Sequence, residues 1–286
     1  MAADIDSVVA SYTKYLGHTI SGEGTISEDL AAVWNTPAHI GTRFITIIPE
    51  SGNAQWIRFI EAEPVPGYKP MTTFGWHSLE IVVDDVDAIP ARLEGSPWKT
   101  IGEPHYLGMS SNIKAMQVEG LAPEVLYLTQ TNAGPDKPYL PNAESFVDRI
   151  FIVVLGSPSL DEARAWYAEH FDTEPGDTME GQIGVLTRAM GLDAETIHSL
   201  CVVKMRGKCL IEIDDYPSVA TKRDTLPDSL PPGIASVSFG VDSLDDVKLP
   251  FISAAKAIAE APYNGARVAV TLGVAGERIE MVEVST

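Results

Sequence analysis

One unit recurs four times along the 286 residues, and this repeat limits the possible folds more than anything else in the sequence. In the clearest copies an alternating apolar run meets an acidic or hydroxyl cap and then a helix. Leu79-Glu80-Ile81-Val82-Val83 leads into Asp84-Asp85-Val86-Asp87-Ala88-Ile89. Val237-Ser238-Phe239-Gly240-Val241 leads into Asp242-Ser243-Leu244-Asp245-Asp246-Val247. Ile150-Phe151-Ile152-Val153-Val154 precedes Ser157-Pro158-Ser159, which opens a helix with Leu160, Ala163, Trp166 and Tyr167 on its apolar face. The remaining copy starts at its helix. Asp4 to Gly17 matches the helix of the third copy, with Tyr12 where Tyr167 stands, so module one lacks its opening strand.

Strand-like hairpins follow each helix. Arg43–Ile48 and Gln55–Glu61 flank Gly52-Asn53, and Ser199–Lys204 and Lys208–Ile213 flank Arg206-Gly207. Glu124–Thr129 and Glu277–Val282 close modules two and four. Pro-rich breaks lie at 64–70, 132–141 and 226–232. The second break is the longest and most polar, so it divides an N-terminal domain (1–131, modules one and two) from a C-terminal domain (146–286, modules three and four), with 132–145 as linker.

With 40 acidic against 20 basic residues and a net charge of −20, the chain repels phosphate backbones and anionic lipid surfaces. Nucleic acid and membrane are therefore not expected partners. No apolar run approaches the roughly 20 residues of a membrane span, and the first residues lack the pattern of a signal peptide. A cytoplasmic protein is expected. Cys201 and Cys209 show no CxxC spacing and read as buried free thiols that could face each other across a hairpin.

The repeat resembles the vicinal-oxygen-chelate superfamily of glyoxalases, bleomycin-resistance proteins and extradiol dioxygenases. Its best local matches are Leu210–Pro217 and Gly233–Asp242. The resemblance implies an α+β fold of four βαβββ modules, paired into two half-open barrels that each enclose a cleft. It also implies metal ligands on the first and last strands of the modules. Carried over by strand alternation, the first-strand positions are Ser78, Arg149 and Ser236, with His77 one residue out of register. The last-strand positions are Arg58, Tyr127, Glu212 and Glu280. No histidine occupies any of them, so the metal site reads as degraded and no cofactor is expected.

One cleft is then expected to hold Arg149, Glu212, Ser236 and Glu280, with Glu212 and Glu280 trading a proton and Arg149 holding a substrate oxygen. The other is expected to hold Arg58, Ser78, Glu80 and Tyr127, with His77 reaching its mouth through a bulge. The function implied is a lyase or isomerase acting on a small aromatic or carbonyl compound. The alternatives are a small-molecule binder of bleomycin-resistance type, and a metal-dependent glyoxalase or dioxygenase with His77 as first ligand. The bare sheet edge of module one implies a homodimer that covers it, or a chain start lying upstream.

Overall fold

Each module turns from strand to helix at a capping side chain. Asp4, Asp85, Ser159 and Ser243 accept hydrogen bonds from the amides of Ser7, Asp87, Glu162 and Asp245. Such caps satisfy amides that a helix start otherwise leaves unpaired. The structure is a computed structural model, and it describes residues 1–107, 110–132 and 140–284. Module one consists of α1 (Ile5–Ser11), continued by one π turn over Tyr12–Leu16, then β1 (Thr19–Thr25), α2 (Glu28–Trp34), β2 (Arg43–Ile48) and β3 (Ile57–Ile60). Module two contains β4 (Gly75–Val83), the short α3 (Ile89–Arg92), β5 (Lys99–Leu107), β6 (Ser110–Glu119) and β7 (Val125–Thr131). Module three contains β8 (Val147–Ser157), α4 (Leu160–His170), β9 (Thr178–Gly181), α5 (Gly184–Met190), β10 (His198–Lys204) and β11 (Leu210–Asp215). Module four contains β12 (Ser236–Val241), β13 (Lys256–Ala257), β14 (Arg267–Leu272) and β15 (Arg278–Glu283).

Within a module the first strand lies parallel to the last: β4 on β7, β8 on β11, β12 on β15. The modules pair differently from the sequence reading. Modules two and three share one eight-stranded sheet, ordered β5-β6-β7-β4-β8-β11-β10-β9. Its seam is the antiparallel contact of β4 with β8, including Ser78 opposite Val154 and Glu80 opposite Ile152. Module one (β1-β2-β3) and module four (β12-β15-β14-β13) form separate sheets that face each other through α2, Trp34, Arg58 and Tyr263. The physical reason is edge satisfaction. β4 is buried along its whole length and β8 along most of it, and each covers the edge that the other would leave open. Residues 133–139 of the expected linker lie outside the described residues.

Between β3 and module four lies a lane that, among the described residues, Met1 and Ala2 enter. The Ala2 amide donates to the Ile60 carbonyl at 2.9 Å, and the Ala62 amide donates to the Ala2 carbonyl at 2.8 Å. The Met1 ammonium donates to the Gly233 carbonyl at 3.1 Å, on the module-four side. Ala2 thus bridges Glu61 in parallel, as a first strand would.

The convex faces of the sheets meet in one core with α1 and α4, including Tyr12, Tyr167, Trp76, Ile81, Leu155, Ile213 and Met281. A repeated device locks this core. Tyr12 Oη donates to Glu124 at 2.9 Å, and Tyr167 Oη donates to Glu277 at 2.7 Å. Each glutamate also accepts from the amide two residues before it, Ala122 or Ala275, and so closes a hairpin turn. Gly120 and Gly273 are required there, because an added Cβ would lie 2.2 Å and 1.9 Å from those carboxylates. Tyr167→Phe leaves the Glu277 carboxyl buried without its hydroxyl partner, an expected loss of about 1–3 kcal/mol by urea unfolding. The equivalent Tyr12→Phe variant is expected to cost a similar amount. The cysteines do not face each other: Cys201 lies opposite Ile213, and half-buried Cys209 precedes β11.

Candidate functional site

Strand alternation builds a polar wall on the concave side of modules one and four. On β3, Ile57 and Phe59 enter the core with α1, so Arg58 and Ile60 face the concavity. On β15, Ile279 and Met281 enter the core, so Glu280 faces the same space. Ser238 of β12 pairs with Glu280. Trp34 is the last residue of α2, a helix capped by Ser27 and ended by left-handed Asn35. Tyr263 comes from the loop between β13 and β14.

These side chains converge on the Glu280 carboxylate. Oε2 accepts from Trp34 Nε1 at 2.6 Å and from Tyr263 Oη at 2.8 Å, and Oε1 accepts from Ser238 Oγ at 2.7 Å. A carboxylate has about four acceptor positions, so Oε1 retains room for one more donor. Arg58 donates to Tyr263 Oη at 3.0 Å and to the Ala261 carbonyl at 3.2 Å. Its guanidinium carbon lies 4.7–5.7 Å from the ring centroids of Phe44, Tyr263, Trp56 and Trp34, an aromatic enclosure that favours a cation. Arg58 Nε is enclosed without a protein partner. Burial, then the Glu280 charge, hold the Tyr263 hydroxyl well above the usual tyrosine range, so it stays protonated.

A cavity of about 1310 Å³ opens on this wall. Arg58, Glu280, Trp34 and Tyr263 line its concave part. It continues through the lane to Leu79, Val153, Val237 and Phe239 on the core side. Ser236 lines it as well, although the Ser236 hydroxyl donates to the Arg278 carbonyl. Arg149 lines it from module three, near Cys209. Arg149 and Glu280 both line this cavity, while Glu212 lies in the other half. Arg149 does not occupy the first-strand position assigned to it. Counting the same seven residues back from the caps Asp85, Ser159 and Ser243 gives Ser78, Ile152 and Ser236. The long apolar β8 starts early and hides this offset.

The half formed by modules two and three gathers the other expected residues: Ser78, Glu80, Tyr127 and His77, joined by Glu212 instead of Arg58. His77 sits at a register shift between Trp76 and Ser78 and is buried there, away from the mouth of the cavity. Its Nε2 lies 3.2 Å from Asp214 Oδ2, and its Nδ1 lies 3.3 Å from Ser78 Oγ. Thr129 donates to Glu80 at 3.1 Å. Met71, Val185, Leu186, Tyr216 and Ala220 pack with Tyr127 over the same face. A Ser–His–Asp string thus exists, but it is buried and none of its three residues lines the cavity. Loss of water around the carboxyls drives the titrations. Asp214 is pushed up to about 7, Glu80 and Glu212 are raised well above the ordinary range, and His77 is lowered to about 3. Asp214, near the end of β11, is fully buried. Only its neighbour Asp215 serves the turn, accepting from the Leu160 amide.

Among the described residues no three His, Cys, Asp or Glu side chains are placed to hold a metal ion. The donors nearest to such a set, His77, Asp214, Glu212 and Glu80, contact one another or Thr129. The residues present do not fit the metal that the resemblance implies. His39 accepts from the Leu230 amide, and His105 is exposed. Sequence reasoning missed Tyr263 as a site residue, because it lies in an irregular loop without periodicity. Trp34 was legible only as an aromatic at a helix end.

No family model and no curated protein matches the chain. Among solved structures, glyoxalase I from Zea mays superposes with a TM-score of 0.64 at 11% identity, covering 99% of this chain and 89% of that one. A Bacillus subtilis protein, provisionally assigned as a dioxygenase, superposes with a TM-score of 0.60 at 11% identity, covering 98% and 82%. Likeness at this identity shows the fold.

Proposed function

We propose that this chain, which has the vicinal-oxygen-chelate fold, binds a small aromatic or carbonyl compound between modules one and four and acts on it as a lyase or isomerase. The observation that carries the reading is the Arg58–Tyr263–Glu280 string on the wall of the open cavity. The aromatic walls suit a flat ligand. The guanidinium groups of Arg58 and Arg149 give the cavity lining a positive charge for a ligand oxygen. Glu280 Oε1, with one acceptor position left, takes a proton from carbon next to a carbonyl, while the arginine stabilises the enolate oxygen. The half formed by modules two and three then has a structural role, its concave face being packed shut.

Among the described residues no helix is long and apolar enough to cross a membrane. A cytoplasmic setting and a small-molecule partner belong to the same proposal and accord with the acidic composition. The test is proton exchange in D2O, followed by NMR over a panel of enolisable aryl ketones and arylacetates. The proposal expects catalysed loss of the proton beside the carbonyl for the compounds that bind. Binding without exchange across the panel would leave a non-catalytic binder, a reading favoured by the three protein donors already held by Glu280.

A further inference from the structure

We infer that the ligand of the cavity between modules one and four carries one carboxylate; the inference rests on the small-molecule reading above and narrows it to a class of compound. Two arginines share the concave face with Glu280. Arg58 lies on β3. Arg278 lies two residues before Glu280 on β15 and on the same face, because Ile279 between them enters the core. Its guanidinium donates to the Trp34 carbonyl, while Trp34 Nε1 donates to Glu280. Among the described residues neither arginine pairs directly with a carboxylate. Arg58 donates to Tyr263 Oη and to the Ala261 carbonyl, and the Nε of each arginine has no protein partner.

The other carboxylates on the lining do not offset this charge. Glu124 is held by Tyr12 and the Ala122 amide, Glu283 by Arg267 and the Leu244 amide, and Asp242 by Arg206 at the surface. Two cations therefore face one anion, inside a chain whose net charge is −20. Burial lowers Arg278 to about 10, so it stays charged at neutral pH. Neither arginine has a counterpart in the closed half. There β11 pairs Leu210 with Ile152 where β15 pairs Arg278 with Ser236, and Tyr127 stands where Arg58 stands. A cation kept from water without an anion is costly, and a carboxylate on the ligand removes that cost. Arg58 lines the cavity and would meet it; Arg278, bonded to the Trp34 carbonyl and set back from the lining, acts through space.

The probes are phenyl-, naphthyl- and indolylacetate, each matched with its primary amide, which shares the shape and lacks the charge. Dissociation constants are read from the Trp34 and Trp56 indole signals of the full ¹⁵N-labelled chain. The acids should bind about tenfold or more tightly than the amides. In Arg278→Gln that advantage should shrink by about threefold or more with amide affinity unchanged, whereas a merely structural role would weaken acid and amide alike. Arg278→Lys, which keeps the charge, should retain the advantage. Acids that bind no more tightly than their amides, or an advantage unaltered in Arg278→Gln, would overturn the inference and leave the small-molecule reading standing. Saturation by no member of any pair would overturn both.

Discussion

Glu280→Gln is expected to lower catalysed proton exchange by about 10²–10⁴-fold, the range over which a positioned general base contributes. The cause is local. Glutamine keeps the shape and one acceptor oxygen but cannot take a proton, and its amide nitrogen must face at least one of the three donors from Trp34, Tyr263 and Ser238. That mismatch also costs stability, so thermal unfolding of the variant must be recorded beside its activity. Tyr263→Phe provides the second arm. It removes one donor from Glu280 and the hydroxyl contact of Arg58 while leaving the carboxylate in place. A smaller loss of exchange is expected than in Glu280→Gln. Unchanged exchange in a folded Glu280→Gln protein would remove Glu280 from the chemistry.

Asp214→Asn should stabilise the protein at alkaline pH and flatten its pH dependence. The folded carboxyl is raised to about 7 by burial, against 3.8 for the free side chain. A raised carboxyl binds more protons folded than unfolded, so its favourable contribution is complete below pH 4 and is lost as pH rises through 7. At 1.36 kcal/mol per unit, the wild type should lose on the order of 3 kcal/mol from this group between pH 5 and pH 8. Glu80 and Glu212, shifted the same way, add to that slope. His77 acts on the other side. Its folded pKa of about 3 means that the unfolded chain takes up a proton first, so stability falls again as pH drops below about 6.5. Asp214→Asn keeps an acceptor for His77 and removes only the share of the alkaline decline that comes from Asp214. Urea unfolding at pH 5, 6.5 and 8 reads this directly, and equal slopes in wild type and variant would contradict the assignment.

The modules were legible because a period-two strand ending at an acidic or hydroxyl cap leaves a local signature, seen at Val83–Asp85 and Ser157–Ser159. The pairing of Tyr12 with Tyr167 was legible for the same reason. Which module pairs with which was not, since sheet edges are satisfied by strands far apart in sequence. That single error moved Glu212 away from Glu280 and Arg58 away from Glu80. The inward phase of Arg58, Ser78, Glu80, Tyr127 and Glu280 followed from alternation. The place of Arg149 did not, because β8 is apolar on both faces and offers no phase. Tyr263 lies in an irregular loop, where burial has no sequence signature.

The central claim is that the accessible small-molecule site lies between modules one and four, with Trp34 and Trp56 in its walls. The most direct test is the indole NMR spectrum of the chain with its five tryptophans ¹⁵N-labelled, titrated with a library of small aromatic carboxylates and ketones. The indole protons of Trp34 and Trp56 should move with saturation, while those of Trp98 and Trp166 should stay in place. A ligand that saturates without moving Trp34 or Trp56 would contradict that placement.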